Sequence, residues 1–253
     1  MAVGARSLFS APFEPLLFDV ARAPWPATWW HDPDVEAKEA QCLEALERLL
    51  ATPTAAVLVE PLLQGAGGMA YVRPAFLNQV EQRVRQSGAL LIADEVLTGF
   101  GRTGSLFAFQ QASIQPDLIA LSKGLTGGFL PMGVTLAREG IYQGFLSEDP
   151  GRTFWHGHSF TANPLGCAAA NASLDLLEQQ PERYRQMAER ADCLLLLDIN
   201  LPDRNGLDVL HPRYLLLPKV GMTTAPLTLA LGARAAVRRL IDEGFDFDVI
   251  DAH

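Results

Sequence analysis

Short apolar runs alternate with amphipathic stretches along the first half of the chain. Two stretches repeat apolar residues every three or four positions and predict helices, one over 32–50 and one over about 75–87. The first should begin at Asp32-Pro33, with Asp32 as the N-cap. Continuously apolar runs predict strands at 55–60, 89–93, 117–121 and 131–137, with loops over 1–31 and 62–69. Such strands, alternating with helices, predict an α/β fold with a mostly parallel sheet covered by helices on both faces.

Polar side chains follow two of the predicted strands directly. Asp94 comes after the second strand, and Ser122 and Lys123 come after the third. In parallel sheets, ligands bind just beyond the carboxyl ends of the strands. The sequence therefore predicts that Asp94 and Lys123 emerge at the same ligand-binding edge.

Composition and charge exclude several classes of function. The 253 residues carry a net charge of −9 without a basic cluster, which disfavours nucleic-acid binding. No apolar run reaches the roughly 18 residues of a membrane span, and the N-terminus lacks the apolar core of a signal peptide. The three cysteines are widely spaced, which is typical of a protein in the reducing cytoplasm.

Lys123 and Asp94 together suggest a specific chemistry. Only three lysines occur, and Lys123 lies between an apolar strand and a glycine-rich turn, where partial desolvation would favour an amine able to form an imine. A pyridoxal ring needs such a lysine for its aldehyde carbon and a carboxylate for its pyridinium nitrogen. The alternative is a solvated turn lysine and an aspartate that caps a helix. Spacing alone leaves both interpretations open.

Three motifs carry a family resemblance. At ADEVLTGFGRTG, SKGLTGG and HGHSFTANPLGCAAA the sequence resembles the class III, fold type I aminotransferases, which use pyridoxal 5′-phosphate. QGAGGM (64–69) and 155–174 look most like the cytoplasmic, homodimeric branch that transfers an amino group from S-adenosylmethionine to 8-amino-7-oxononanoate in biotin synthesis. Ala66 stands where other branches usually carry an acidic residue. A class III enzyme of other, ω-amino acid specificity and a catalytically inactive chain remain alternatives.

The resemblance implies roles for five residues. Lys123 would hold the cofactor covalently and carry a proton during transfer, and Asp94 would pair with the pyridinium nitrogen. Ser159 would bind the cofactor phosphate of the neighbouring subunit. Gly157 would allow the backbone to approach the substrate, and Arg102 could meet a substrate carboxylate.

Simpler interpretations compete with the last three of these roles. Ser159 would then cap the following helix, Gly157 would serve only in a turn, and Arg102 would be a surface arginine. His156 and His158 are spaced like metal ligands, but no suitable third ligand lies nearby in the sequence, so a metal site is not expected.

The resemblance covers about residues 1–190, which would form a partial large domain of the family. Residues 191–210 resemble the third strand and phospho-acceptor loop of a response-regulator receiver, with Asp198 at the acceptor position. Residues 211–253 look like the N-terminal part of a GT-B glycosyltransferase. We expect a composite chain that ends in an unrelated α/β segment, with a diverged C-terminal domain as the alternative.

Overall fold

The computed structural model describes residues 2–4, 6, 10–29, 31–180 and 182. The predicted receiver-like segment 191–210 and glycosyltransferase-like segment 211–253 lie outside the described residues. The helices and strands are α1 (Val35–Leu50), β1 (Ala56–Val59), β2 (Leu63–Gln64), β3 (Ala70–Tyr71), α2 (Pro74–Ser87), β4 (Leu90–Asp94), β5 (Leu118–Leu121), β6 (Val134–Ala137), α3 (Glu139–Gln143) and α4 (Pro164–Gln179). Short 3₁₀ helices cover Ala11–Leu16, Ala108–Ala112, Lys123–Thr126 and Pro150–Arg152.

The main sheet has the strand order β1-β4-β5-β6. β1, β4 and β5 run parallel, and β6 runs antiparallel to β5. The four predicted strands and the mostly parallel sheet are therefore confirmed. β6 reverses direction because a 3₁₀ turn, rather than a crossover helix, joins it to β5, and a parallel strand would need a long crossover.

Helices α1 and α2 cover one face of the sheet. The core is formed by apolar side chains of both helices with those of β1, β4 and the connection to β5; it includes Leu43, Leu46, Phe76, Leu77, Val80, Val84, Leu91 and Ile114. Leu58 and Leu90 lie on the other face and are 39% and 37% exposed. Within the described residues, the predicted cover over both faces is thus incomplete.

Two local expectations differ from the structure. α1 begins at Val35, after Asp34, and not at Pro33. Asp32 instead accepts the Asp34 N–H through Oδ1 at 3.0 Å and pairs with Lys38 through Oδ2 at 2.7 Å. The segment 62–69, which the sequence predicts to be a loop, contains the strand β2. This strand pairs antiparallel with β3, and the two form a small hairpin. Among the helices that the structure describes, none is long and apolar enough to cross a membrane.

Candidate functional site

The carboxyl ends of β4 and β5 bring Asp94 and Lys123 to the same edge of the sheet. Asp94 is the last residue of β4 and pairs in register with Ala120 of β5. Lys123 follows two residues after the end of β5. Because the two strands are parallel and adjacent, Asp94 and Lys123 lie at the same edge of the sheet, as the sequence predicts.

A third ionisable group, Glu60, belongs to this edge and was not predicted. Val59 of β1 pairs with Ala93 of β4, so Glu60 and Asp94 follow as the next residues of neighbouring strands. Burial raises the pKa of Glu60; a hydrogen bond from the Gly65 N–H opposes this, Asp94 raises the pKa further, and Lys123 lowers it. The same signal that indicated Asp94, an acidic residue directly after an apolar run, is present at Glu60.

The turn that carries Lys123 is held by hydrogen bonds from two side-chain hydroxyls to backbone carbonyl oxygens. Lys123 has φ of 45°, in the left-handed region, and opens the 3₁₀ helix Lys123–Thr126. The Ser122 hydroxyl donates to the Met132 carbonyl oxygen at 2.7 Å, and the Thr126 hydroxyl donates to that of Leu130 at 2.6 Å. The Lys123 side chain itself is exposed in the described chain, so the expected partial desolvation is not observed. A non-glycine residue in this strained conformation, held by its surroundings, is typical of a functional position.

A second element, the loop 95–107, packs against the Lys123 turn. A Cβ on Gly124 would lie 2.9 Å from Cβ of Phe100, so the loop touches the turn at a position that only glycine fits. Asp94 Oδ1 accepts the Val96 N–H at 3.0 Å. A turn follows Asp94 rather than a helix, and the helix-cap interpretation of Asp94 is therefore wrong.

Glu95 holds this loop from inside. Its side chain is fully buried and accepts hydrogen bonds from the Thr98 hydroxyl at 2.6 Å and from the N–H groups of Ala108 and Phe109 at 3.1 and 2.8 Å. Burial raises the pKa of the Glu95 carboxyl, and these three hydrogen bonds oppose the rise. Arg102, on the same loop, is exposed.

The segment before α4 carries the two remaining predicted site residues. Gly157 and Ser159 are exposed, and a Cβ on Gly157 would make only ordinary contact with Thr161 at 3.9 Å. α4 is capped by Asn163, whose Oδ1 accepts the Gly166 N–H at 2.7 Å, so Ser159 is not the helix cap. No hydrogen bond or ion pair within the described residues joins Gly157 or Ser159 to the Asp94–Lys123 edge.

The residues at the edge fit a ligand with an aldehyde and a basic ring nitrogen. Lys123 supplies an accessible primary amine on a fixed backbone, and Asp94 supplies a half-buried carboxylate. The described part of the chain contains no group of three His, Cys, Asp or Glu side chains placed to hold a metal ion.

Comparison with known proteins assigns a family. A model of the family "Aminotransferase class-III" matches residues 1–200. The chain is 65% identical over 178 residues to a Synechococcus elongatus protein named adenosylmethionine-8-amino-7-oxononanoate aminotransferase, a match that covers 70% of this chain and 42% of the relative. A Geobacter sulfurreducens protein of the same name is 42% identical over 211 residues, covering 78% and 47%. The chain thus spans less than half the length of these curated relatives.

Solved structures agree in fold. An amine transaminase from an uncultivated Pseudomonas species, described as PLP-bound in the internal aldimine form, matches with a TM-score of 0.61 and 33% identity over 68% of this chain and 40% of the other. An (S)-enantioselective omega-transaminase from Thermomicrobium roseum matches with a TM-score of 0.57 and 36% identity, covering 63% and 36%. These similarities show that the described part of the chain shares the fold of solved transaminases.

Proposed function

This chain belongs to the class-III aminotransferase family, and from that premise we propose that it forms the cofactor-holding core of an enzyme transferring an amino group from S-adenosylmethionine to 8-amino-7-oxononanoate, which gives 7,8-diaminononanoate. The names of its curated relatives support the substrates. The single structural observation that carries the proposal is the placement of Asp94 and Lys123 at the ends of adjacent parallel strands.

Pyridoxal 5′-phosphate is the cofactor of this proposal, and the residues at the sheet edge fit it. The Lys123 Nζ would attach to the cofactor aldehyde, and the Asp94 carboxylate would keep the ring nitrogen protonated. When bound, the cofactor supplies a sink for the electrons released as the substrate loses its α-proton. Once displaced by substrate, the Lys123 amine would take up that proton and return it.

Chemical trapping tests the assignment of Lys123. The chain is incubated with pyridoxal phosphate, reduced with borohydride and digested, and the modified peptide is identified by mass spectrometry. We expect the adduct on Lys123 and its loss in Lys123→Arg. Lys38 is an internal control, because its Nζ is paired with Asp32 and lies 3.9 Å above the Trp29 ring. An adduct on Lys38 or Lys219 in place of Lys123 would contradict the site.

Amino-donor specificity separates the two candidate reactions. The alternative, a class-III enzyme acting on ω-amino acids, is favoured by the structural similarity to the omega-transaminase. Unreduced protein incubated with pyridoxal phosphate is offered S-adenosylmethionine or an ω-amino acid, and amino transfer to 8-amino-7-oxononanoate or to a keto acid is measured. Transfer from S-adenosylmethionine alone supports the proposal; transfer from the ω-amino acid alone supports the alternative. Adduct formation without any transfer would identify a chain that binds cofactor but is inactive.

Substrate contacts are assigned to Arg102 and Gly157. Both are exposed and lie in segments that match the family. Arg102 would pair with the acceptor carboxylate, and Gly157 would leave room for the substrate. Arg102→Lys should raise KM for 8-amino-7-oxononanoate while leaving the Lys123 adduct intact. An unchanged KM would support the alternative that Arg102 is a surface arginine without contact to the substrate.

A homodimer is required for the role of Ser159. The segment around Ser159 exposes large apolar side chains: Trp155 at 79%, Phe160 at 75% and Leu165 at 71%. An exposed apolar patch of this kind is typical of a protein–protein contact. We therefore propose that a second copy covers this segment and that Ser159 contacts the phosphate bound by that copy. Light scattering should give a dimer mass, and a strict monomer would leave Ser159 without this role.

The C-terminal hypotheses have their own test. The family model extends to residue 200 and so overlaps the first part of the receiver-like segment 191–210, while 211–253 lies beyond it. We infer that the chain is a composite of these three pieces. We also infer that it is located in the cytoplasm. Sequencing reads across codons 190–215 would support a genuine fusion if coverage is unbroken and an artefact if it is not.

A further inference from the structure

Glu95 is a buried carboxyl group that directly follows the proposed site residue Asp94. Its side chain is fully buried, and in the described chain it accepts three hydrogen bonds, from the Thr98 hydroxyl and from the N–H groups of Ala108 and Phe109. None of these donors is charged. Burial of a carboxyl group without a cationic partner costs stability. Residues that break a rule of packing in this way are expected at functional sites.

The three bonds close the loop 95–107 at both of its ends. Thr98 lies three residues after Glu95, in the turns that open the loop. The 3₁₀ helix Ala108–Ala112 follows the loop, and the first N–H groups of a helix have no partner within it. The Glu95 side chain supplies that partner and so joins the start of the loop to its end.

The middle of the loop touches the turn that carries Lys123. Phe100 has φ of 62°, in the left-handed region, and its N–H donates to the Leu106 carbonyl oxygen at 2.6 Å. A Cβ on Gly124 would lie 2.9–3.2 Å from three side-chain atoms of Phe100. Phe100 therefore lies against the turn in a strained backbone conformation, which the rest of the loop must maintain.

Aromatic contacts connect Phe100 to the residues that Glu95 binds. The Phe100 ring meets the Phe107 ring edge to face, with 5.7 Å between their centroids. The Phe107 ring in turn stacks on that of Phe109 at 5.8 Å. Since the Phe109 N–H donates to Glu95 at 2.8 Å, the packed contacts run without a break from the buried carboxyl group to Gly124.

We propose that Glu95 positions Lys123: by closing the loop 95–107 it holds Phe100 against Gly124 and so keeps the Lys123 turn in its left-handed conformation. The inference rests on the proposed function, in which Lys123 attaches the cofactor. Glu95 is fully buried and acts through the loop, so it is a positioning residue and not a catalytic one.

Amide hydrogen exchange of the cofactor-free chain tests the proposal at the turn itself. The N–H groups of Leu125 and Gly127 each donate to a carbonyl oxygen of the turn at 3.0 Å, and they exchange when the turn opens. Their exchange rates are measured by NMR in the wild type and in each variant. The N–H of Leu46, in the core part of α1, is measured alongside and reports opening of the fold as a whole.

Thr98→Val is the principal variant, because it removes the hydroxyl that donates to Glu95 at 2.6 Å and keeps the shape of the side chain. We expect Leu125 and Gly127 to exchange roughly three- to tenfold faster, as for the loss of one hydrogen bond that holds the loop. Thr98→Ser keeps the hydroxyl and should restore the wild-type rates. Glu95→Ala removes all three bonds and should have a larger effect; if it does not fold, the two Thr98 variants decide.

Asp117→Asn is the control for general loss of stability. Asp117 is also a buried acidic residue that accepts a backbone N–H, that of Leu91 at 2.8 Å, but it precedes β5, at the end of the strand opposite to Lys123. This variant should speed exchange of Leu46 while changing the two turn amides less than Thr98→Val does.

Attachment of pyridoxal phosphate links the turn to the proposed function. We expect Lys123 of Thr98→Val to attach the cofactor about two- to fivefold more slowly than Lys123 of Asp117→Asn, because the amine is less well oriented. Faster exchange of the turn amides together with slower attachment upholds the inference.

The remaining outcomes separate this inference from the proposed function. Turn amides that exchange no faster in Thr98→Val than in Asp117→Asn overturn the role of Glu95, even if Lys123 of the wild type takes up pyridoxal phosphate. Faster exchange without slower attachment overturns it as well. If exchange is faster but the wild type forms no adduct on Lys123, Glu95 still holds the turn, and the proposed cofactor is wrong.

Discussion

The Ser173 hydroxyl of α4 donates a hydrogen bond of 3.1 Å to the carbonyl oxygen of Gly124, the residue that follows Lys123. This bond joins α4 to the turn that carries Lys123. α4 is capped by Asn163, and its Gly166 and Ala170 are buried. The turn that carries Lys123 is thus held by a residue 49 positions away from Gly124 in the sequence.

We predict that Ser173→Ala slows attachment of pyridoxal phosphate to Lys123 by a few-fold. Loss of one hydrogen bond costs about 1 kcal/mol of stability and loosens the turn. The rate of adduct formation and the free energy of unfolding are measured together. Ser87→Ala is the matched control, because the Ser87 hydroxyl makes the same type of bond, to Val84 O at 2.8 Å, at the end of α2. If both variants slow attachment equally, the effect is general destabilisation.

The contact between Phe100 and Gly124 gives a second prediction. Gly124→Ala would set a Cβ 2.9 Å from that of Phe100, and one of the two segments must move. Overpacking of this kind costs about 1–3 kcal/mol, and here it displaces the Lys123 turn. We expect weaker pyridoxal phosphate binding, measured by absorption titration, together with lower stability.

Gly140→Ala is the control for the same chemical change. Nothing lies within 4 Å of a Cβ at this position in α3, so the variant should bind cofactor normally and be as stable as the wild type or slightly more so. Normal cofactor binding in Gly124→Ala would show that the Phe100 contact does not position Lys123.

The parts of the site that the sequence predicts are those encoded locally. An apolar run followed directly by a polar residue identifies a strand end, and this pattern located Asp94 and Lys123. The direction of β6 is not encoded in its periodicity, because parallel and antiparallel strands have the same side-chain alternation. The direction of β6 is instead decided by the length and structure of the segment that connects β5 to β6.

Tertiary relationships account for what the sequence did not predict. Glu60 has the same local pattern as Asp94, but its place beside Asp94 comes from the register of β1 with β4, which no single segment specifies. The bond from Ser173 to Gly124 joins two elements far apart in the chain. The resemblance to a family supplied roles for Ser159 and Gly157, yet within the described residues neither makes a hydrogen bond or ion pair with the Asp94–Lys123 edge.

Asp117 should make the unfolding free energy depend on pH in the acidic range. Its side chain, 6% exposed, accepts hydrogen bonds from Arg85 and the Leu91 N–H and faces Arg138 at 3.4 Å. Burial raises its pKa, but the Leu91 and Arg85 hydrogen bonds and the charges of both arginines outweigh burial and lower it. A lowered carboxyl pKa contributes stability above its ordinary value of 3.8, and this stability is lost as pH falls through the folded value.

Asp117→Asn should remove this contribution. We expect a loss of about 2–3 kcal/mol at pH 7, less than for a fully buried pair because both arginines are partly exposed. The loss should shrink as pH falls below the ordinary value of 3.8 and through the lowered folded value, where the wild-type carboxyl also becomes protonated. Urea unfolding at several pH values measures it. A constant difference between the two proteins from pH 7 to 3 would contradict the assignment.

Glu95 should give the opposite pH dependence. Burial raises its pKa above the ordinary value of 4.5 despite the hydrogen bonds from Thr98, Ala108 and Phe109. The folded state then binds a proton more tightly than the unfolded state, so stability rises as pH falls through the raised folded value and levels off below 4.5. The unfolding free energy of the wild type relative to Glu95→Gln, from urea titrations, should increase across that window. Glu95→Ala, which removes the acceptor of the Ala108 and Phe109 N–H groups, should cost about 3 kcal/mol or more and release the loop that follows Asp94. Glu44→Gln, an exposed change, should show neither effect, and a flat difference between wild type and Glu95→Gln would mean that Glu95 stays charged within the fold.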